Sequence, residues 1–141
     1  ITVTSGVNQN QDGQKYIMYC FKSIQGYSKM GSYVGNGNAN GAFVHLGFKP
    51  AWVMLKRTDS AASWLIFDNK RDIDNVVSHR VYANATDAED SDTGSAIDFL
   101  SNGFKCRSSD SSTNTSSGTY IYMAFAEHPF VSSKGVPTTA R

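Results

Sequence analysis

Along most of the chain, apolar and polar residues alternate with a period of two, and the apolar positions are rich in β-branched and aromatic side chains. That pattern predicts strands, and no window carries the 3.6-residue period of an amphipathic helix. Strands are predicted at residues 15–23 (KYIMYCFKS), 29–35, 42–48, 51–58, 63–68, 76–83, 96–100, 104–108 and 119–127 (TYIYMAFAE). A single helical turn is expected at 69–75 (NKRDIDN). Eight or nine short strands separated by turn signals point to an all-β protein, an antiparallel, jelly-roll-like β-sandwich.

Two of these strands differ from the rest. YIMYCF (16–21) and YIYMAFA (120–126) are apolar or aromatic on both faces. Both are expected in the interior of a sheet, or with one face covered by a partner chain, and Ile121 is expected to be buried. Asn102-Gly103 reads as the centre of a type I′ hairpin. It would pair Phe99 with Cys106 and Asp98 with Arg107, placing Phe99, Phe104 and Cys106 on the inner face and Asp98, Lys105 and Arg107 outside. The stretch 108–119 (SSDSSTNTSSGT) has no apolar anchor and is expected to be a mobile surface loop.

Composition narrows the functional classes. Charged residues make up only 18 % of 141, and 13 basic against 12 acidic side chains leave a net charge of +1. Such a surface has no electrostatic footprint for nucleic acid and no basic face for a membrane, so neither partner is expected. The apolar runs are strand-sized, far short of a spanning helix. The Ile1 start, without Met, is read as a segment of a longer polypeptide or a processed product. Cys20 and Cys106 fall within apolar strand patterns, either as buried free thiols or as one bridge between strands.

The richest local chemistry lies at 35–41 (GNGNANG). Gly35, Gly37 and Gly41 do not have the spacing of a dinucleotide-binding loop, and a strand pattern follows where a helix would be needed. A hairpin connection is one reading. A polar ligand loop is the other: Asn36, Asn38 and Asn40 would offer paired donors and acceptors to sugar hydroxyls, and Tyr33 a stacking face. The acidic stretch 87–94 lacks the calcium-loop spacing. DNKRD (68–72) reads as a turn held by ion pairs or as a recognition patch. His45, His79 and His128 are scattered, and no nucleophile elbow is present. No catalytic residue, metal or cofactor is therefore expected, and the protein is not read as an enzyme. Asn84 and Asn114 head formal glycosylation sequons.

The blocks GYSKMGSYVGNG, DNKRD and SNGFK…TYIYMAFAE, in that order, resemble an uncharacterised domain of marine bacteriophage tail, tail-fibre and other virion structural proteins. The resemblance spans about residues 16–130. It implies residues 1–15 as a connector or edge strand, 16–130 as the sandwich and 131–141 as a tail. It further implies a virion-surface location, other virion proteins as partners and a homo-oligomer such as a trimer. Host attachment, through surface glycan at Tyr33, Asn36, Asn38 and Asn40, is the expected role. A purely structural capsid or tail piece is the alternative, and a polysaccharide depolymerase the third reading. Aromatics gathered beside a polar loop would favour sugar binding, and a broad apolar patch would favour assembly.

Overall fold

The computed structural model describes residues 10–129. Nine strands form, with one 3-10 turn at Thr93–Ser95 and no α-helix among the described residues. They are β1 Ser28–Val34, β2 Phe43–His45, β3 Pro50–Arg57, β4 Leu65–Asp68, β5 His79–Tyr82, β6 Asp90–Ser91, β7 Ile97–Leu100, β8 Gly103–Cys106 and β9 Thr119–Ala126. They make two antiparallel sheets, one of six strands in the order β1-β9-β3-β4-β5-β6 and one of three in the order β2-β8-β7. The expected turn at 69–75 is a hydrogen-bonded bend and not a helix. The strand β6 lies within the acidic stretch, where no strand pattern is visible.

Alternation decides which side chains meet in the middle. Leu55, Leu65 and Tyr122 are aligned across β3, β4 and β9, and Val53, Phe67 and Ala124 form the next row. They pack against Val44, Ile97, Phe99, Phe104 and Cys106 from the smaller sheet. Most of these side chains are fully buried, each worth about 1.5–3 kcal/mol relative to exposure. Backbone hydrogen bonds between Val77 and Ile97 tie the two sheets along one side.

The hairpin between β7 and β8 forms, but with a different corner. Leu100 pairs with Gly103, Phe99 with Phe104, Asp98 with Lys105 and Ile97 with Cys106. Ser101 and Asn102 thus occupy the turn, and neither they nor Gly103 takes a positive φ. Glycine is needed at 103 for another reason: a Cβ there would lie 2.1 Å from the Val44 carbonyl oxygen of β2. The pairing is displaced by two residues from expectation, which preserves the parity of every side chain. Phe99, Phe104 and Cys106 are therefore inside as expected, and Arg107 still reaches Asp98 at 3.3 Å.

The two doubly apolar segments separate. YIYMAFA is an interior strand, β9, flanked by β1 and β3. Its core face carries Tyr120, Tyr122 and Ala124, whereas Ile121 points to the outer face of the sheet and is 39 % exposed. Among the described residues YIMYCF joins no sheet. Residues 15–23 form no strand, helix or turn, and Tyr16, Ile17, Met18, Tyr19 and Phe21 are all exposed. Among the described residues the arm is attached at residues 21–24, where Phe21 meets Phe125. Ser28 Oγ donates to the Lys22 carbonyl, Met30 N–H donates to Ser23 Oγ, and Ile24 bridges to Ser28. Cys20 is consequently exposed, Cys106 is buried, and both are free thiols.

Candidate functional site

The Gly/Asn loop is held by its own amides. Asn36 Oδ1 accepts from Asn38 N–H at 3.0 Å, and Asn36 Nδ2 donates to the Asn40 carbonyl at 3.0 Å. Asn38 Oδ1 accepts from Asn40 N–H at 2.8 Å, and Asn40 Oδ1 accepts from Lys105 Nζ. Asn36 and Asn38 thus stabilise the backbone that follows them, the local competition with regular structure for which Asn is suited, and Asn40 is anchored across to Lys105. Tyr33 is not a free platform. Its ring stacks on Tyr120 at 4.9 Å and meets Phe104 edge-on, and its hydroxyl donates to the Thr113 carbonyl at 2.6 Å. Burial, followed by the neighbouring Cys106, raises its pKa well above that of an ordinary phenol. Burial also pushes the Cys106 thiol up to about 11, so it is an inert apolar side chain.

The residue that organises this end is one the pattern did not reveal. Asn114 is fully buried. Its Oδ1 accepts from Asn36 N–H, and its Nδ2 donates to Asn36 Oδ1, the Asn38 carbonyl and the Ser108 carbonyl, all within 3.0 Å. The stretch 108–119 is therefore a folded plug, not the expected surface loop. Tyr120 secures it, accepting from Thr115 N–H at 2.9 Å and donating to the Ser111 carbonyl at 2.8 Å. The close backbone contact needs Gly35, where a Cβ would fall 2.2 Å from the Thr115 carbonyl oxygen. A buried Asn114 cannot present its sequon to an enzyme.

The charged blocks are similarly engaged. Arg71 pairs with Asp68 and, at 2.6 Å, with Glu89. Arg80 holds Asp90 at 2.9 Å and Asp92 at 3.1 Å. Burial alone would raise the Asp72 carboxyl, but the N–H groups of His79 and Ser78 and the His79 ring outweigh it and hold it below the ordinary value. DNKRD is thus a turn held by ion pairs. No group of three potential metal-binding side chains occurs among the described residues.

The outer face of the six-stranded sheet has a different character. Register places Met30 beside Met123, Met123 beside Met54, Met54 beside Ile66 and Ile66 beside Val81. This row crosses five strands, contains no polar side chain and is half-buried. Met30, Met54 and Met123 line an apolar hollow with Trp64 and Ile121. Beyond it, Phe125 packs against Phe21, Tyr27 and Trp52, where the apolar arm meets the sheet. The chain has four methionines, of which three line this face and the fourth, Met18, is exposed on the arm; none is in the core. Methionine suits adaptable contact surfaces, being unbranched and polarizable. The signal was present in the sequence as doubly apolar strands, but only the register of β1, β9 and β3 aligns the residues into one surface.

No curated protein and no solved structure matches the chain. A family described as Domain of unknown function (DUF7483) has a model that matches residues 1–129, and the chain belongs to that family.

Proposed function

We propose that the chain is a structural assembly module, packing against further copies of itself in a larger particle through the outer face of its six-stranded sheet and the arm at residues 15–24. The single observation that carries this reading is the uncharged row Met30, Met123, Met54, Ile66 and Val81, open across five strands. A monomer seldom leaves so broad an apolar surface in water. The arm supplies a matching apolar element: Ile17 is 82 % and Tyr19 79 % exposed. A second copy is the partner that fits, because the same chain carries both surfaces and a net charge of +1 sets up little repulsion between copies. The resemblance to virion proteins makes a phage tail, tail fibre or capsid the natural setting.

Attachment to host glycan through Tyr33, Asn36, Asn38 and Asn40 has less support. The Tyr33 ring faces the core aromatics, and the loop amides already bond to backbone and to Lys105.

Sedimentation velocity tests the assembly reading. The parent should associate with rising concentration, and Met54→Lys/Met123→Lys should remain monomeric with an unchanged circular dichroism spectrum. A parent that stays monomeric, or a double variant that associates equally well, overturns it.

A further inference from the structure

The connection from β4 to β5 walls two adjoining hollows at one end of the sandwich, and Asn69 lines both. The wider, about 540 Å³, is lined by Trp52 and Lys70 among others. That volume lies within the usual range of small-ligand clefts. The narrower carries Asp74.

Most polar groups around these hollows have partners. Arg71 is held by Asp68 and Glu89, and Lys49 by Glu127 at 2.9 Å. The Asp72 carboxylate is taken up by His79 and Ser78, and the Asn75 amide by both backbone groups of Phe99. Asn69 is only 9 % exposed, and its Nδ2 donates to Glu127 at 2.9 Å, which fixes its Oδ1 as the remaining acceptor. The side chains of Lys70 and Asp74 make no hydrogen bond or ion pair among the described residues. The open groups are therefore one amide oxygen in a locked orientation, one ammonium, one carboxylate and a half-buried indole.

We propose that the two adjoining hollows together bind a neutral oligosaccharide, with a sugar ring against Trp52 and hydroxyls bonded to Asn69 Oδ1 and Lys70 in the wider hollow and to Asp74 in the narrower. The charges select the ligand class. An anion such as phosphate would find a single unpaired cation, Lys70, in a hollow that also carries the Asp68 and Glu89 carboxylates. A metal ion would need several unoccupied oxygens in one sphere, and no such group of side chains exists among the described residues. A polyhydroxylated neutral ligand donates to the Asp74 carboxylate and the amide oxygen and accepts from the ammonium. Its apolar ring face suits an aromatic side chain that keeps one surface open. This site is separate from the Asn36–Asn40 loop and does not depend on self-association.

The test is an NMR titration of the 15N-labelled chain with cellotetraose, maltotetraose, mannotetraose and N-acetylchitotetraose, with sodium phosphate and calcium chloride as comparisons. It is run on the parent and on Met54→Lys/Met123→Lys, in which neighbouring copies do not cover Trp52. At least one tetrasaccharide should produce saturable shifts at the Trp52 indole N–H, the Asn69 side-chain amide and the Lys70 and Asp74 backbone amides. Lys70→Ala and Asp74→Ala should each weaken that binding about tenfold, the loss of one hydrogen bond to a charged group, with other signals unmoved. Shifts in either protein support the site. It is overturned if no tetrasaccharide moves these signals at about 20 mM, far above the roughly 1 mM dissociation constant of a shallow site. It is equally overturned if phosphate or calcium moves them more, or if both alanine variants bind as the parent does.

Discussion

Residues 16–21 and 120–126 carry nearly the same run of tyrosine, isoleucine, methionine and phenylalanine, and they end in opposite environments. YIYMAFA is the second strand of the larger sheet, with Tyr120 and Ala124 fully buried. YIMYCF is an unpaired arm with its apolar side chains in solvent. The difference is one of partners. β9 has β1 on one side, β3 on the other and the small sheet beneath it, so one of its faces is fully satisfied within the chain. Its other face is only half-covered, by Phe21 and Tyr27 at Phe125, and most of the arm stays exposed among the described residues. An apolar pattern on both sides therefore reports how much surface must be covered, and leaves open whether the cover is the same molecule or another.

The largest expected effect comes from placing a charge on the satisfied face of one segment and on the arm. Ala124→Asp buries an unpaired carboxylate and should cost about 4 kcal/mol or more, enough to unfold the domain. Ile17→Asp should leave the melting temperature unchanged and reduce self-association. Equal destabilisation by the two changes, read by thermal melts, would remove the distinction between the segments.

Next in size is the plug that holds the start of β9. Asn114→Ala strips the bonds to Asn36, Asn38 and Ser108 from a fully buried position. It should cost about 3 kcal/mol, from several buried groups left without partners. Chemical denaturation measures this, and a variant as stable as the parent would mean that the plug does not support the strand.

Acid should separate the two kinds of surface. Protein hydrogen bonds and a neighbouring cation hold Asp72 and Glu127 below the ordinary carboxylate value. Their contribution is fully present above the unfolded pKa, about 4, and is lost as pH falls through the lower folded values. Stability should therefore decline below about pH 4, and Asp72→Asn should flatten part of that decline. The methionine row contains no titratable group, so association should not change between pH 5 and 8. A strong pH dependence of association over that interval, in sedimentation runs, would point to a charged interface instead.

The smallest effect concerns an atom beside Tyr33. Thr113 Oγ1 is buried without a hydrogen-bond partner. Thr113→Val should raise stability by about 1 kcal/mol, because an unsatisfied hydroxyl is removed at nearly constant volume. A lower melting temperature would indicate that the hydroxyl has a partner in solution.

Much of the architecture was legible because a two-residue period sorts side chains by face whatever their exact pairing. The 97–107 hairpin illustrates this: its corner lies one residue earlier than Asn102-Gly103, yet Phe99, Phe104 and Cys106 are still inside. Burial of Asn114 was not legible, since nothing in a Ser/Thr-rich run marks the one amide that three backbone groups converge upon. The stretch 35–41 is no hairpin connection, because it carries the chain from β1 in the larger sheet to β2 in the smaller one, although Asn36 and Asn38 do bond to the backbone that follows them. The sugar-binding potential of its asparagines required knowing what else competed for the same amides, and that competition comes from the loop itself and from Lys105. The methionine row was hidden because β1, β3 and β9 are far apart in sequence.

Methionine oxidation across a dilution series tests the assembly surface most directly. The protein is exposed briefly to dilute peroxide at concentrations spanning the association range, and each methionine is read by peptide mass spectrometry. Met30, Met54 and Met123 should oxidise readily when dilute and become protected together as concentration rises, with Met18 on the arm following the same curve. Oxidation of all three sheet methionines at a rate independent of concentration would contradict self-assembly through this face.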